Sequence, residues 1–146
     1  MWIRLWTKPF GQQRARAMIM RSKSGKSWVH HYYTKQQQRR DRVIEKLLLK
    51  YQPIKPLLCP LGIRIDAYMK VPKSYSRKRR EFCLSNAELP VKPPDLDNIV
   101  KGFLDRLQKC GYFKDDKQIV ALHATKRYSS KPRVEIEIWE VNNAVQ

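Results

Sequence analysis

Two pairs of carboxylates, Asp95 with Asp97 and Asp115 with Asp116, and one lysine, Lys101, are the side chains here whose types and spacing could do chemistry. Asp95 and Asp97 follow Pro93-Pro94 at the start of a helical pattern, where unpaired backbone N–H groups and the helix dipole favour negative charge. Capping is therefore their ordinary reading, and a solvated turn is the ordinary reading of Asp115-Asp116. If the helix packs its stripe on a sheet, however, both pairs could converge at one edge. Carboxylates so close repel one another unless a proton or a cation intervenes. An all-oxygen donor set suits Mg2+, with Mn2+ as a substitute, rather than zinc. Such an ion can activate water and neutralise charge developing on a phosphodiester. Lys101, one turn after Asp97, stands where it could stabilise that charge, or could simply pair with Asp97 and Asp105 at four-residue spacing. Of the three histidines, His123 falls in a strand pattern and His30-His31 in a basic stretch, so none is needed for this chemistry.

The rest of the chain says what such a site would face. The 146 residues carry 31 Lys+Arg against 13 Asp+Glu, a formal charge of +18. Nucleic acid is the first partner this implies, ahead of the ribosome or an anionic membrane. The excess is one-sided: residues 1 to 80 hold 21 basic and 3 acidic residues, and residues 81 to 146 hold 10 of each. A surface that gathers phosphate, joined to an acidic segment that repels it without cations, is more than simple binding requires. Cys59, Cys83 and Cys110 form no C-x-x-C pair, which argues against a disulfide framework or a zinc site and fits buried thiols in a reducing cytoplasm. No apolar run approaches the ~20 residues of a membrane span, and no Gly-rich phosphate loop or Ser-His-Asp order supports a nucleotide cofactor or acyl transfer. The expectation is a cytoplasmic, DNA-associated protein.

Elements that would position the site follow from periodicity. Residues 3 to 6 read as a strand broken after Lys8. Residues 11 to 34 are either a flexible basic loop or a hairpin turning at Ser24-Gly25. Thr34 is placed to cap a helix from Lys35 to about Tyr51, with Val43, Ile44, Leu47 and Leu48 on its apolar side. Leu61 to Lys70 alternates as a strand with Ile63, Ile65 and Ala67 inward, and a loop opening at Val71-Pro72 carries the basic run at 76 to 80. The clearest helix begins near Asp95: Leu96, Ile99, Val100, Phe103, Leu104 and Leu107 form its buried stripe, and Gly111 lies past its end. Residues 114 to 128 read as a turn and a strand, and 133 to 141 as a second strand forming a hairpin with it. One α/β (α+β) domain over residues 1 to 146 is expected, a mixed sheet packed by two or three helices.

KPPDLDNIVKGFLDRLQ, followed by GYFKDDKQIV, KRY and PRVEIEI, resembles the RusA family of Holliday-junction resolvases of phages and prophages, most strongly from Lys92 to Ile138. The resemblance implies a Mg2+-dependent endonuclease that resolves four-way DNA junctions in recombination and repair, acting as a homodimer. It makes Asp95, Asp97 and Asp116 the essential acids and metal ligands, Lys101 the essential lysine, and Asp115 a companion ligand. A junction is roughly two-fold symmetric, so two symmetry-related sites can deliver paired nicks. Lys73, Arg77, Lys78, Arg79 and Arg80 are the foremost candidate DNA contacts, with Arg14, Arg16, Arg21, Lys23 and Lys26 behind them. A non-catalytic recombination accessory protein, and a nuclease for flaps or forks, remain the alternatives.

Overall fold

Alternating residues build one four-stranded sheet in the computed structural model, which describes residues 1–12 and 15–142. In chain order the elements are β1 (Trp2–Leu5), β2 (Arg16–Arg21), β3 (Ser27–Tyr32), α1 (Lys35–Leu49), β4 (Leu61–Lys70), α2 (Arg77–Leu84), α3 (Leu96–Lys109), a 3-10 turn (Asp116–Gln118), β5 (Ile119–Ser129) and β6 (Arg133–Glu140). The sheet order is β1-β6-β4-β5, with β4 parallel to β5 and antiparallel to β6. The fold is thus a small α+β domain with a mixed sheet and three α-helices, as the sequence pattern leads one to expect.

One sheet face is apolar and carries the helices. Ile3 and Leu5 of β1, Ile63 and Ile65 of β4, and Ile136 and Ile138 of β6 are buried against Ile44 and Leu48 of α1 and Ile99, Phe103 and Leu107 of α3. The opposite face is charged and aromatic: Glu135 accepts from Arg4 at 2.8 Å and from Arg133 at 2.9 Å, while Arg133 lies 3.6 Å over the Tyr68 ring. Glu135 of β6 is thereby consumed by local pairing, and Glu137 pairs with Arg64 at 3.5 Å. Thr34 caps α1 by accepting from Gln37 N, and Tyr112 donates to Leu48 O at 2.6 Å to close that helix on the core. Asp41 of α1 and Arg106 of α3 form a 2.5 Å ion pair that locks the two helices together.

Three expectations need correction. The strands β5 and β6 do not form a hairpin: β4 lies between them and pairs with both. Its buried residues make β4 the natural centre, and the three residues 130–132 are long enough to cross its end, where the chain leaves β4 through a turn closed by Tyr75 N donating to Pro72 O. The basic run at 76 to 80 is not loop but the cap and first turn of α2. Ser76 accepts from Arg79 N, and Arg and Lys are good helix formers wherever a cap starts them. Val43 points to solvent; Ile44 and Leu48 alone of that expected stripe are fully buried. Residues 16–32 form a two-stranded antiparallel hairpin outside the main sheet, turning through Gly25 at φ +80°. No helix among the described residues is long and apolar enough to cross a membrane.

Candidate active site

Helix α3 is positioned from three sides, and its first turn carries the first acidic pair. Asp95 occupies the N-cap position in extended conformation, yet its side chain caps no backbone N–H. The simple capping reading thus fails for this carboxylate. The segment before it is held by Lys126 of β5, whose Nζ donates to Lys92 O and Pro94 O, both at 3.0 Å. A strap of residues 9–12 crosses the helix on the other side. Gln12 N donates to Asn98 O at 2.9 Å, and a Cβ at Gly11 would come within 2.9 Å of Pro94 Cβ, so only glycine fits that crossing. Gly102 lets the strap approach, with Phe10 and Gln12 directly above it. Phe10 packs tilted against Phe103 with ring centroids 4.8 Å apart, and the Arg40 guanidinium lies 4.4 Å from the Phe10 ring.

The first turn of α3 separates two depressions. On one side a cavity of about 630 Å³ is lined by Asp97, Lys101, Asp105 and Asp116 over an apolar floor that includes Val100, Leu104, Leu122 and Ala124. On the other, a cleft of about 470 Å³ is lined by Asp95, Asn98, Pro94, Gly11 and Arg40. The structure therefore brings Asp97, Lys101 and Asp116 together and sets Asp95 at the adjoining cleft. Lys101 makes no ion pair with Asp97 or Asp105, so the local-pair reading of its spacing does not hold.

Asp115 does a different job. Its Oδ1 accepts from Lys117 N at 3.0 Å, and Gln118 reciprocates by accepting from Asp115 N at 2.9 Å, a complete capping box for the 3-10 turn. The Lys117 N–H, then the neighbouring Asp116 carboxyl, hold the Asp115 carboxyl below the usual aspartate range. Gln118 also donates to Leu57 O and Cys59 O, pinning the turn that presents Asp116. Asp115 lines a separate depression with Leu58, Pro60 and Lys117 rather than the Asp97 cavity.

Among the described residues, no three His, Cys, Asp or Glu side chains are grouped closely enough to form a complete metal cage. That does not exclude Mg2+, which is typically held by one or two carboxylates plus substrate phosphate oxygens and water. Asp97 and Asp116 lining one cavity, with Asp95 in the adjoining cleft, fit that donor pattern.

The basic candidates divide by what they touch. Arg79 is committed: it makes a bidentate pair with Glu88, with Nη2 at 2.7 Å, and stacks 3.8 Å from the Tyr75 ring. Arg77 pairs with Glu81 at 3.3 Å on an exposed surface, and Lys78 lies 6.0 Å from the Phe82 ring. Lys73 and Arg80 are exposed and have no ion-pair partner among the described residues, and the same holds for Arg16, Arg21, Lys23 and Lys26 on the hairpin. Arg14 lies outside the described residues. Sequence reasoning passed over Lys126, Asn98 and the strap at Gly11-Gln12. Lys126 stands within the KRY element of the family resemblance, but nothing in its type announces a backbone clamp.

Comparison with known proteins bears on this arrangement directly. A family model described as "Endodeoxyribonuclease RusA" matches residues 7–139. The chain is 31% identical to the uncharacterized protein YqaN of Bacillus subtilis (strain 168) over 140 residues, 94% of each chain. It is 52% identical over 48 residues, 33% of this chain and 37% of the relative, to a protein of Lactococcus phage r1t named crossover junction endodeoxyribonuclease rusA.

Proposed function

The chain belongs to the RusA family of crossover junction endodeoxyribonucleases, and from that premise we propose that it resolves Holliday junctions by paired, symmetric, Mg2+-dependent nicks, acting as a homodimer. The observation that carries the reading is the shared cavity of Asp97, Lys101 and Asp116 at the start of α3, with no competing ion pair on Lys101 among the described residues.

In this reading Asp97 and Asp116, with Asp95 from the adjoining cleft, would hold the cation, Mg2+ or Mn2+. When bound, the ion supplies charge neutralisation at the scissile phosphate and a more acidic water. Lys101 faces the same space with its ammonium uncommitted. It stabilises the negative charge that builds on the phosphate oxygens or the departing oxygen as the strand breaks. Lys126 and the Gly11-Gln12 strap act at one remove, fixing where the first turn of α3 sits. Asp115 caps and orients rather than ligates. Two such sites in a dimer give one nick in each of two opposed strands, which a single site cannot do.

The test is cleavage of an end-labelled immobile four-way junction with Mg2+, with Mn2+ and with chelator, read on a denaturing gel beside a binding assay. Wild type should produce paired symmetric nicks with metal only. Asp97→Asn and Lys101→Met should bind the junction as wild type does and cut at least ~10²-fold more slowly, the usual scale for losing one charge-stabilising group. An Asp97→Asn protein cutting at the wild-type rate would falsify the site. Faster cutting of flaps or forks than of junctions at one salt concentration would replace the substrate while leaving the chemistry.

A further inference from the structure

The β2–β3 hairpin stands away from the molecule's core, and both of its faces are exposed along the strands. Two-stranded hairpins are marginal alone in water, and a contiguous exposed apolar surface marks a place where something binds. Cross-strand partners share a face, so the register sorts its side chains. Met18 opposite His30, Met20 opposite Trp28 and Arg16 opposite Tyr32 form one face; Ile19 opposite Val29 and Ala17 opposite His31 form the other. The first face is aromatic and thioether in character. Trp28 is 49% exposed, and His30 stacks parallel to Tyr32 with ring centroids 6.4 Å apart.

Charge decides the occupant. Residues 1 to 40 contain ten Lys and Arg and not one acid, and Arg16, Arg21, Lys23 and Lys26 lie on the hairpin itself. A two-fold contact with the same hairpin of a second copy would set these cations against their own images with nothing to neutralise them. A polyanion has no such difficulty. The hairpin is also rooted at the candidate site. The strap preceding it is bonded to α3 through Gln12 and Asn98, and the chain leaving it enters α1, which is bound to α3 by Asp41 and Arg106. Six-residue strands give it a reach of roughly 20 Å.

We infer that this hairpin is the branch-reading arm. Its Trp28 face stacks on bases left without a full stacking partner where strands exchange, and its cations hold the flanking phosphates. Aromatic stacking needs a bare base face, and apolar side chains wedge into weakened base steps. An intact duplex offers neither, so the arm discriminates branched from linear DNA without reading sequence. This rests on the nuclease reading for its substrate, but it is a statement about binding.

The experiment compares wild type, Trp28→Ala with Met18→Ala, and the opposite-face pair Ile19→Ala with Val29→Ala. Affinity for four-way junction and linear duplex is measured in chelator at fixed salt, with a fluorescent base analogue at the branch point. The Trp28-face variant should lose roughly tenfold in junction affinity, with little change on duplex, and should lose the fluorescence change at the branch. The opposite-face variant should keep both, which a merely structural contribution of the hairpin would not allow. Equal losses on junction and duplex, equal losses from both faces, or a Trp28-face variant whose only change is a shift from dimer to monomer in sedimentation would each overturn the inference. A wild type that prefers junctions but never cuts with metal overturns the nuclease reading and not this one.

Discussion

Four aspartates of one residue type stand in distinct surroundings, and on the proposed reading those surroundings divide them between two jobs. Asp95 sits at a cap position without capping, whereas Asp115 caps with a complete reciprocal box. Residue type cannot distinguish these, because a good N-cap and a good oxygen ligand are the same carboxylate. The D-x-D-N-x-x-K spacing made Asp97 and Lys101 legible, since four residues on a helix put both on one edge. Asp115 was not legible, since its partner is the backbone of Lys117. The distinction can be measured, because asparagine caps as well as aspartate but is a poor ligand for a hard cation. Asp115→Asn should therefore retain most metal-dependent cutting. Asp115→Ala should lower the melting temperature and slow cutting by loosening the turn under Asp116. Asp116→Asn should abolish cutting with the fold intact. If Asp115→Asn were as inactive as Asp116→Asn, with unchanged melting, Asp115 would belong among the ligands.

At the level of elements, what the chain advertises is what its local periodicity controls. Helix α3 was readable because its apolar stripe is continuous and its ends are marked by Asp95 and Gly111. Helix α2 was not, because Arg77 to Arg80 show no apolar period and the helix follows from the Ser76 cap and a later anchor, Arg79 on Glu88. The separation of β5 from β6 depends on β4, fifty residues earlier, which no local pattern encodes. The exposed face of the sheet yields a pH prediction. Burial alone would raise the Glu135 carboxyl, but Arg133 and then Arg4 outweigh it, leaving the group below its ordinary 4.5. A depressed carboxyl stabilises the fold above its unfolded value and loses that contribution as pH falls through its folded value. The melting-temperature gap between wild type and Glu135→Gln should therefore be full at pH 7 and narrow below about pH 4. A gap constant from pH 7 to pH 3 would mean that the Arg4–Glu135–Arg133 ladder contributes packing and not charge.

Over the whole molecule, the +18 charge is less diffuse than the composition implies. The glutamates of the second half, apart from Glu140, are matched: Glu135 and Glu137 pair with arginines across the sheet, Glu88 with Arg79, and Glu81 with Arg77. The unmatched cations include those of the hairpin, Lys73 and Arg80. Unpaired aspartates gather at the α3 cavity and its adjoining cleft. On the proposed reading, phosphate is drawn to the hairpin and α2 surfaces and repelled from the α3 cavity until a cation joins it. Binding and cutting should accordingly respond to different variables. Junction affinity in chelator should fall linearly on a log-log plot against salt, with a slope of roughly −0.9 for each duplex phosphate neutralised. Lys23→Gln with Lys26→Gln should flatten that slope by about 1 to 2 and weaken junction and duplex alike. The cutting rate of already bound junction should be unchanged in the same variant and should follow the metal concentration instead. A double variant with the wild-type slope would place the phosphate contacts elsewhere, with Lys73 and Arg80 the next pair to remove.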